Sequence, residues 1–174
     1  GAAVLISPDL NGAATENIIL GPVIETVRDT TDDDEDEDVT ETLAVFDYAQ
    51  GLINRGTISA NGRNVGYDAT ALRIEGSADG NFTTTITGGI LNTGAITADA
   101  MEADATAISL GSGAIIGALE NTGTISANVS SLTDFSSTAL LIEDGAEVSE
   151  LINSGTLTAG TFGEAANAIA IRDL

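Results

Sequence analysis

The chain has no cysteine, no histidine and no tryptophan, and its five basic residues are all arginine, so lysine is absent too. Each absence removes a chemistry. Without cysteine there is no disulfide, no zinc–thiolate site and no thiol nucleophile. Without histidine a Ser-His-Asp triad cannot be built, and the commonest general base is missing. Without lysine there is no Schiff base. Basic charge is scarce as well: five cations stand against 27 acids, for a net charge of −22. That leaves no basic footprint for nucleic acid and no electrostatic attraction to an anionic membrane surface. No apolar run reaches the roughly 18 residues of a spanning helix, and the opening residues do not read as a signal peptide.

Aromatic residues make up only 3% of the 174 and proline occurs twice, whereas glycine occurs 20 times. Apolar residues still reach 43%, with mean hydropathy +0.19. That is enough aliphatic surface to fold despite the charge.

The order of these residues is more informative than their amounts. The pattern N-x-G-x-[IL]-x-A occurs four times: Asn54-Arg-Gly56-Thr-Ile58-Ser-Ala60, Asn92-Thr-Gly94-Ala-Ile96-Thr-Ala98, Asn121-Thr-Gly123-Thr-Ile125-Ser-Ala127 and Asn153-Ser-Gly155-Thr-Leu157-Thr-Ala159. The copies start 38, 29 and 32 residues apart, a period that means stacked repeats. A large aliphatic precedes each Asn by two residues (Leu52, Ile90, Leu119, Leu151), and apolar positions keep one parity through the motif. Period two is the signature of a strand with one buried face. A second apolar element, A-[LI]-x-[IL], follows in every copy, at 71–74, 107–110, 139–142 and 168–171. Val4, Leu43, Leu72, Ile108, Leu140 and Ile169 are taken as its equivalent positions, and Ile86, Ile115 and Val148 as a third, shorter point between the two elements.

Three short strands per roughly 30 residues, with no helical periodicity, predict an all-β, right-handed parallel β-helix. Parallel neighbours need a long crossover, and the remaining sides of each coil supply it. About five coils at about 4.8 Å each give a rod segment on the order of 25 Å long. Residues 1–41 are expected to form the first coil or coils with an acidic insertion at 29–38, and residues 42–174 four repeats of one domain, the whole a fragment of a longer repeat protein.

The repeated L-I-N-x-G-T-[IL]-x-A, followed by a variable loop and A-[LI]-x-[IL], resembles the β-helical passenger domains of bacterial autotransporters, the type V secretion family. The resemblance covers roughly residues 42–174 and more weakly 1–41. It implies export to the bacterial cell surface or beyond, with a C-terminal β-barrel translocator elsewhere in the parent chain. The calcium-binding nonapeptide solenoid would need G-G-x-G-x-D, which does not occur.

Three features invite a functional reading. Asn54, Asn92, Asn121 and Asn153, with Gly56, Gly94, Gly123 and Gly155, are expected to form a structural ladder at a turn. One Asn per coil suits amides that bond along the stack, and glycine relieves the backbone. The alternative is a ligand-binding polar stripe. The acidic run holds Asp32, Asp33, Asp34, Glu35, Asp36, Glu37 and Asp38 after Asp29, and is expected to loop out between Val27 and Leu43. It reads as a solvated, self-repelling loop or as a Ca²⁺ site, since flexible oxygen ligands suit that ion. EF-hand order is missing. No other cofactor is implied. Finally, the loops at 61–68, 99–104, 128–136 and 160–164 vary while the strands do not. Tyr67, Phe135 and Phe162 sit in or beside them, and Arg63 is their one cation. Such loops either close the coil or carry a surface for a glycan or protein ligand.

Catalysis has little to draw on. A carboxylate pair or a lyase-type Ca²⁺/Arg site remains, with Arg73 and Glu75 on one outward face as candidates. The side loops are read as sharing no acidic pair at a constant offset. The expected function is a non-catalytic structural or adhesive β-helix module of an exported surface protein, whose partners are neighbouring coils of the same or another chain. The alternatives are a polysaccharide-active enzyme using carboxylates, and a self-assembling filament or surface-layer subunit.

Overall fold

The computed structural model describes residues 1–10, 12–28, 43–163 and 167–174, and it contains strands and no helix among them. The described chain opens with β1 (Ala2–Ile6) and β2 (Ile18–Leu20), then β3 (Ile24–Arg28) and β4 (Leu43–Asp47). Three complete coils follow. The first holds β5 (Leu52–Asn54), β6 (Thr57–Gly62), β7 (Ala69–Ile74) and β8 (Thr84–Ile86). The second holds β9 (Ile90–Asn92), β10 (Ala95–Met101), β11 (Ala105–Leu110) and β12 (Ala114–Ile116). The third holds β13 (Leu119–Asn121), β14 (Thr124–Ser130), β15 (Ser136–Ile142) and β16 (Glu147–Val148). A partial coil closes the chain with β17 (Leu151–Asn153), β18 (Thr156–Phe162) and β19 (Asn167–Asp173).

Like strands stack on like. The sheets run β1-β7-β11-β15-β19, β18-β14-β10-β6, β16-β12-β8-β2 and β17-β13-β9-β5, and every pair within them is parallel. This is a parallel β-solenoid. Two expectations need correction. Each coil has four strands rather than three, because the chain bends at Asn-x-Gly and the motif is split between two sheets. The described residues hold about three full turns with partial ones at the ends, rather than five.

The core is an aliphatic column. Ile96 and Ile125 stack over one another, as do Leu72, Ile108 and Leu140, and all five are fully buried. Alanine fills the narrow positions: Ala98 and Ala127 stack in register and are likewise fully buried. Burying a branched aliphatic contributes about 1.5–3 kcal/mol, so these ladders dominate stability.

Register corrects three equivalences. Leu43 is not a coil position: it pairs with Arg28 in the antiparallel hairpin of β3 and β4. Leu140 faces Ile171, while Ile169 faces Thr138. Ile116, not Ile115, stacks between Ile86 and Val148. The loops are also shorter than expected, since β6, β10, β14 and β18 run on to Gly62, Met101, Ser130 and Phe162.

Candidate functional site

Where β5 turns into β6, and at each equivalent bend, the Asn side chain points inward. Asn54 Nδ2 donates to Asn92 Oδ1, Asn92 Nδ2 to Asn121 Oδ1, and Asn121 Nδ2 to Asn153 Oδ1, each at 2.7 Å. Each of these donors also reaches a carbonyl of the next coil: Ala95 O at 3.2 Å, Thr124 O at 3.2 Å and Thr156 O at 3.0 Å. Asn92 and Asn121 have no exposed surface. The backbone is tied at the same point, since the carbonyl of Asn92 accepts from the N–H groups of Thr122 and Gly123. A Cβ on Gly94, Gly123 or Gly155 would overlap the carbonyl oxygen of the glycine one coil before. Asn and Gly thus solve one steric and one polar problem together. Their arrangement leaves no donor free inside the ladder to receive a ligand.

On the outer face of the five-stranded sheet, Arg73 in β7 meets two carboxylates. Its Nε pairs with Glu75, and its Nη1 lies 3.5 Å from Glu143 Oε1. Glu143 Oε1 also accepts from Ser109 Oγ at 3.1 Å. The hydrogen bond to Glu75 raises the Arg73 pKa further, with burial opposing and Glu143 adding to it. Glu75 and Glu143 belong to different coils, and the residue between them in the stack is Gly111. A Cβ there would press on the Glu75 side chain and lie near the Arg73 guanidinium, so glycine leaves the gap through which Arg73 bridges the coils. The hollow beside this cluster has a volume of about 290 Å³ and is lined by Ser77 and Ser112 as well. A glycosidase pair needs its two carboxyls on either side of the scissile bond. Here the guanidinium pairs with both.

The side loops are stapled by acids that the sequence reading missed. Asp68 Oδ1 accepts from Asp104 N at 3.1 Å, and Asp104 Oδ1 from Ser136 N at 2.7 Å. A single acid thus recurs at a constant offset in two coils, in D-A-T-A-[LI] at 68–72 and 104–108. Glu102, the one non-glycine residue with positive φ (47°) among the described residues, reaches across to the next coil. Its carboxylate accepts from Leu132 N at 2.9 Å, Ser131 Oγ at 2.9 Å and Thr133 Oγ1 at 3.3 Å. These donors, Leu132 N–H first, hold its pKa below the ordinary value. Asp79 is held low in the same way by Ser77 Oγ and then Asn81 N–H. Asp9 Oδ2 accepts from Ala78 N at 2.6 Å, tying the turn after β1 to the one after β7.

Of the loop aromatics, Phe135 packs against the core, whereas Tyr67 and Phe162 stand out to solvent. Tyr67 and Arg63 border a hollow of about 410 Å³ between β1 and β6. The residues Asp32, Asp33, Asp34, Glu35, Asp36, Glu37 and Asp38 lie outside the described residues. Among the described ones, no group of three acids is placed to hold a metal ion, and no helix is long and apolar enough to cross a membrane. Compared with protein-family models, curated proteins and solved structures, the chain matches none.

Proposed function

We propose that this chain is a non-catalytic structural and adhesive segment of β-solenoid, displayed at the bacterial cell surface as part of an exported protein of the autotransporter passenger kind. One observation carries the non-catalytic part. The acids with described partners are held by neighbouring coils or by their own loop: Asp68, Asp104 and Glu102 bond the following coil, Glu143 takes Ser109 and Arg73 of the preceding ones, and Glu75 shares Arg73. Groups spent on coil-to-coil bonding are not poised to move protons. The surface location and export route rest on the resemblance of the repeats to that family. Adhesion would fall to the loop side, where Tyr67 and Phe162 are exposed.

The test pairs a panel of neutral and acidic polysaccharides with a glycan array, each with and without Ca²⁺. Binding without cleavage supports the proposal. Turnover that disappears in Glu75→Gln or Glu143→Gln would favour the second reading, a carboxylate-based enzyme working in the hollow beside Arg73.

A further inference from the structure

One corner of the first complete coil departs from its equivalents. Nine residues, 75–83, join β7 to β8, whereas 111–113 join β11 to β12 and 143–146 join β15 to β16. In a repeat architecture such insertions often carry the binding face. The inserted loop is tied to itself and to its neighbour. Asp79 Oδ1 accepts from Ser77 Oγ at 2.6 Å and from Asn81 N at 3.0 Å, and Ser77 Oγ accepts from Phe82 N at 2.8 Å. Asp9 Oδ2 and Asn17 Oδ1, from the stretch between β1 and β2, accept from Ala78 N at 2.6 Å and Thr83 N at 2.8 Å. Residues of this loop line the hollow of about 290 Å³ together with Arg73, Glu75, Ser112 and Glu143.

What that lining leaves unbonded defines a ligand. Arg73 uses Nε for Glu75 and Nη1 for Glu143, while Nη2 has no partner among the described residues. The same holds for Glu75 Oε1, Glu143 Oε2 and Ser112 Oγ. The side chains of Arg73, Glu75 and Glu143 are 37%, 27% and 30% exposed, so a ligand can reach them. Gly111 keeps the space between them clear. Its register equivalents are Glu75 and Glu143, and a Cβ on it would lie 2.9 Å from the Glu75 Cβ.

We propose that this hollow is a binding site for one unit of a neutral sugar. A hydroxyl both donates and accepts. Adjacent sugar hydroxyls therefore match a guanidinium edge set beside two free carboxylate oxygens and a serine hydroxyl, and the bonds to the charged groups are the stronger kind. An anionic sugar would meet two carboxylates against one guanidinium, in a chain of net charge −22. An amine would compete with Arg73 for carboxylates that it already holds. A neutral ring incurs neither cost. The volume of about 290 Å³ lies at the lower end of ligand sites, roughly 300–1,000 Å³, which suits a single unit. Because both carboxylates are paired with Arg73, the site binds rather than cleaves. It is separate from the loop-side adhesion proposed above and does not require it.

The test is calorimetric titration of the whole chain with glucose, galactose, mannose and N-acetylglucosamine, with glucosamine and glucuronate as charged counterparts. One-site binding of at least one neutral sugar is expected, in the millimolar range. Ser112 is exposed and its hydroxyl unbonded, so Ser112→Val should melt like the parent, yet weaken binding about tenfold or more, by filling the hollow and removing a hydrogen bond. Arg73→Lys keeps the charge but loses the fork, and should weaken binding as much. Tyr67→Ala, on the loop side, should bind like the parent. The proposal is overturned if no neutral sugar gives a saturable heat, or if glucosamine or glucuronate binds more tightly than every neutral sugar. Binding that survives in both folded variants, or that is lost in Tyr67→Ala, overturns it as well.

Discussion

Replacing Asn121 by alanine is the most direct measure of what holds these coils together. The side chain is fully buried. It accepts from Asn92 Nδ2 at 2.7 Å and donates to Asn153 Oδ1 at 2.7 Å and Thr156 O at 3.0 Å. Alanine removes these bonds, together with a weaker one to Gly123 O at 3.4 Å, and leaves a void one amide in size. Asn92 Nδ2 would retain Thr124 O at 3.2 Å and Gly94 O at 3.4 Å, so the loss falls short of a fully orphaned donor. Leaving buried polar groups underpaired costs about 1–3 kcal/mol. For a chain of this length that lowers Tm by roughly 2–12 °C. Asn153→Ala is the internal control, because Asn153 is exposed and gives its Nδ2 only to Gly155 O, and its loss should be clearly smaller. Asn121→Asp should be worse than alanine: a carboxylate has no donor for Asn153 Oδ1 or Thr156 O, and its charge is buried. Thermal and urea melts followed by far-UV dichroism rank the three. Equal melting of Asn121→Ala and Asn153→Ala, or tolerance of Asn121→Asp at neutral pH, would refute the reasoning. A normal melt with lost partner binding would make the column a binding stripe.

Gly94→Ala should destabilise far more than Gly56→Ala, since its Cβ collides with the Gly56 carbonyl; similar melts for the two would contradict the close packing of the bends. The pKa values of Glu102 and Asp79 are depressed in the folded chain, so their contribution is present above the unfolded values and is lost as pH falls through the folded ones. Glu102→Gln should therefore flatten the acid limb of the melting curve below about pH 4.5, the ordinary glutamate value, and an unchanged limb would remove Glu102 from the account. Calorimetric titration with Ca²⁺ should give weak, salt-screened heats from residues 29–38, eight of whose ten side chains are acids. Saturation at micromolar Ca²⁺, abolished by neutralising 32–38, would establish a specific site instead.

Much of this architecture is written locally. The Asn-Gly spacing, the single parity of its aliphatics and the alanines between them dictate stacked strands with one buried face. No helix competes for them, because no stretch has helical periodicity. The acids at 68 and 104 were also legible, through D-A-T-A-[LI], once the copies were aligned on the strand that follows.

Other features were decided only by tertiary pairing. The bend at Asn-x-Gly leaves parity intact, so a strand that turns a corner and one that runs straight have the same pattern. In Ala114-Ile115-Ile116 two adjacent aliphatics can each claim the interior, and the pairing of Ile116 with Ile86 and Val148 chooses between them. In the alternating run 168–171, a slip of two residues preserves every facing, so stacking on Leu140 alone selects Ile171 over Ile169. The union of Arg73 with Glu143 joins residues 70 apart in sequence, through a gap that exists because Gly111 lies between their coils. Period and parity are properties of a single strand and can be read from one. Register, corners and the meeting of side chains from different coils are properties of neighbours, and they exist only once the chain has returned to lie on itself.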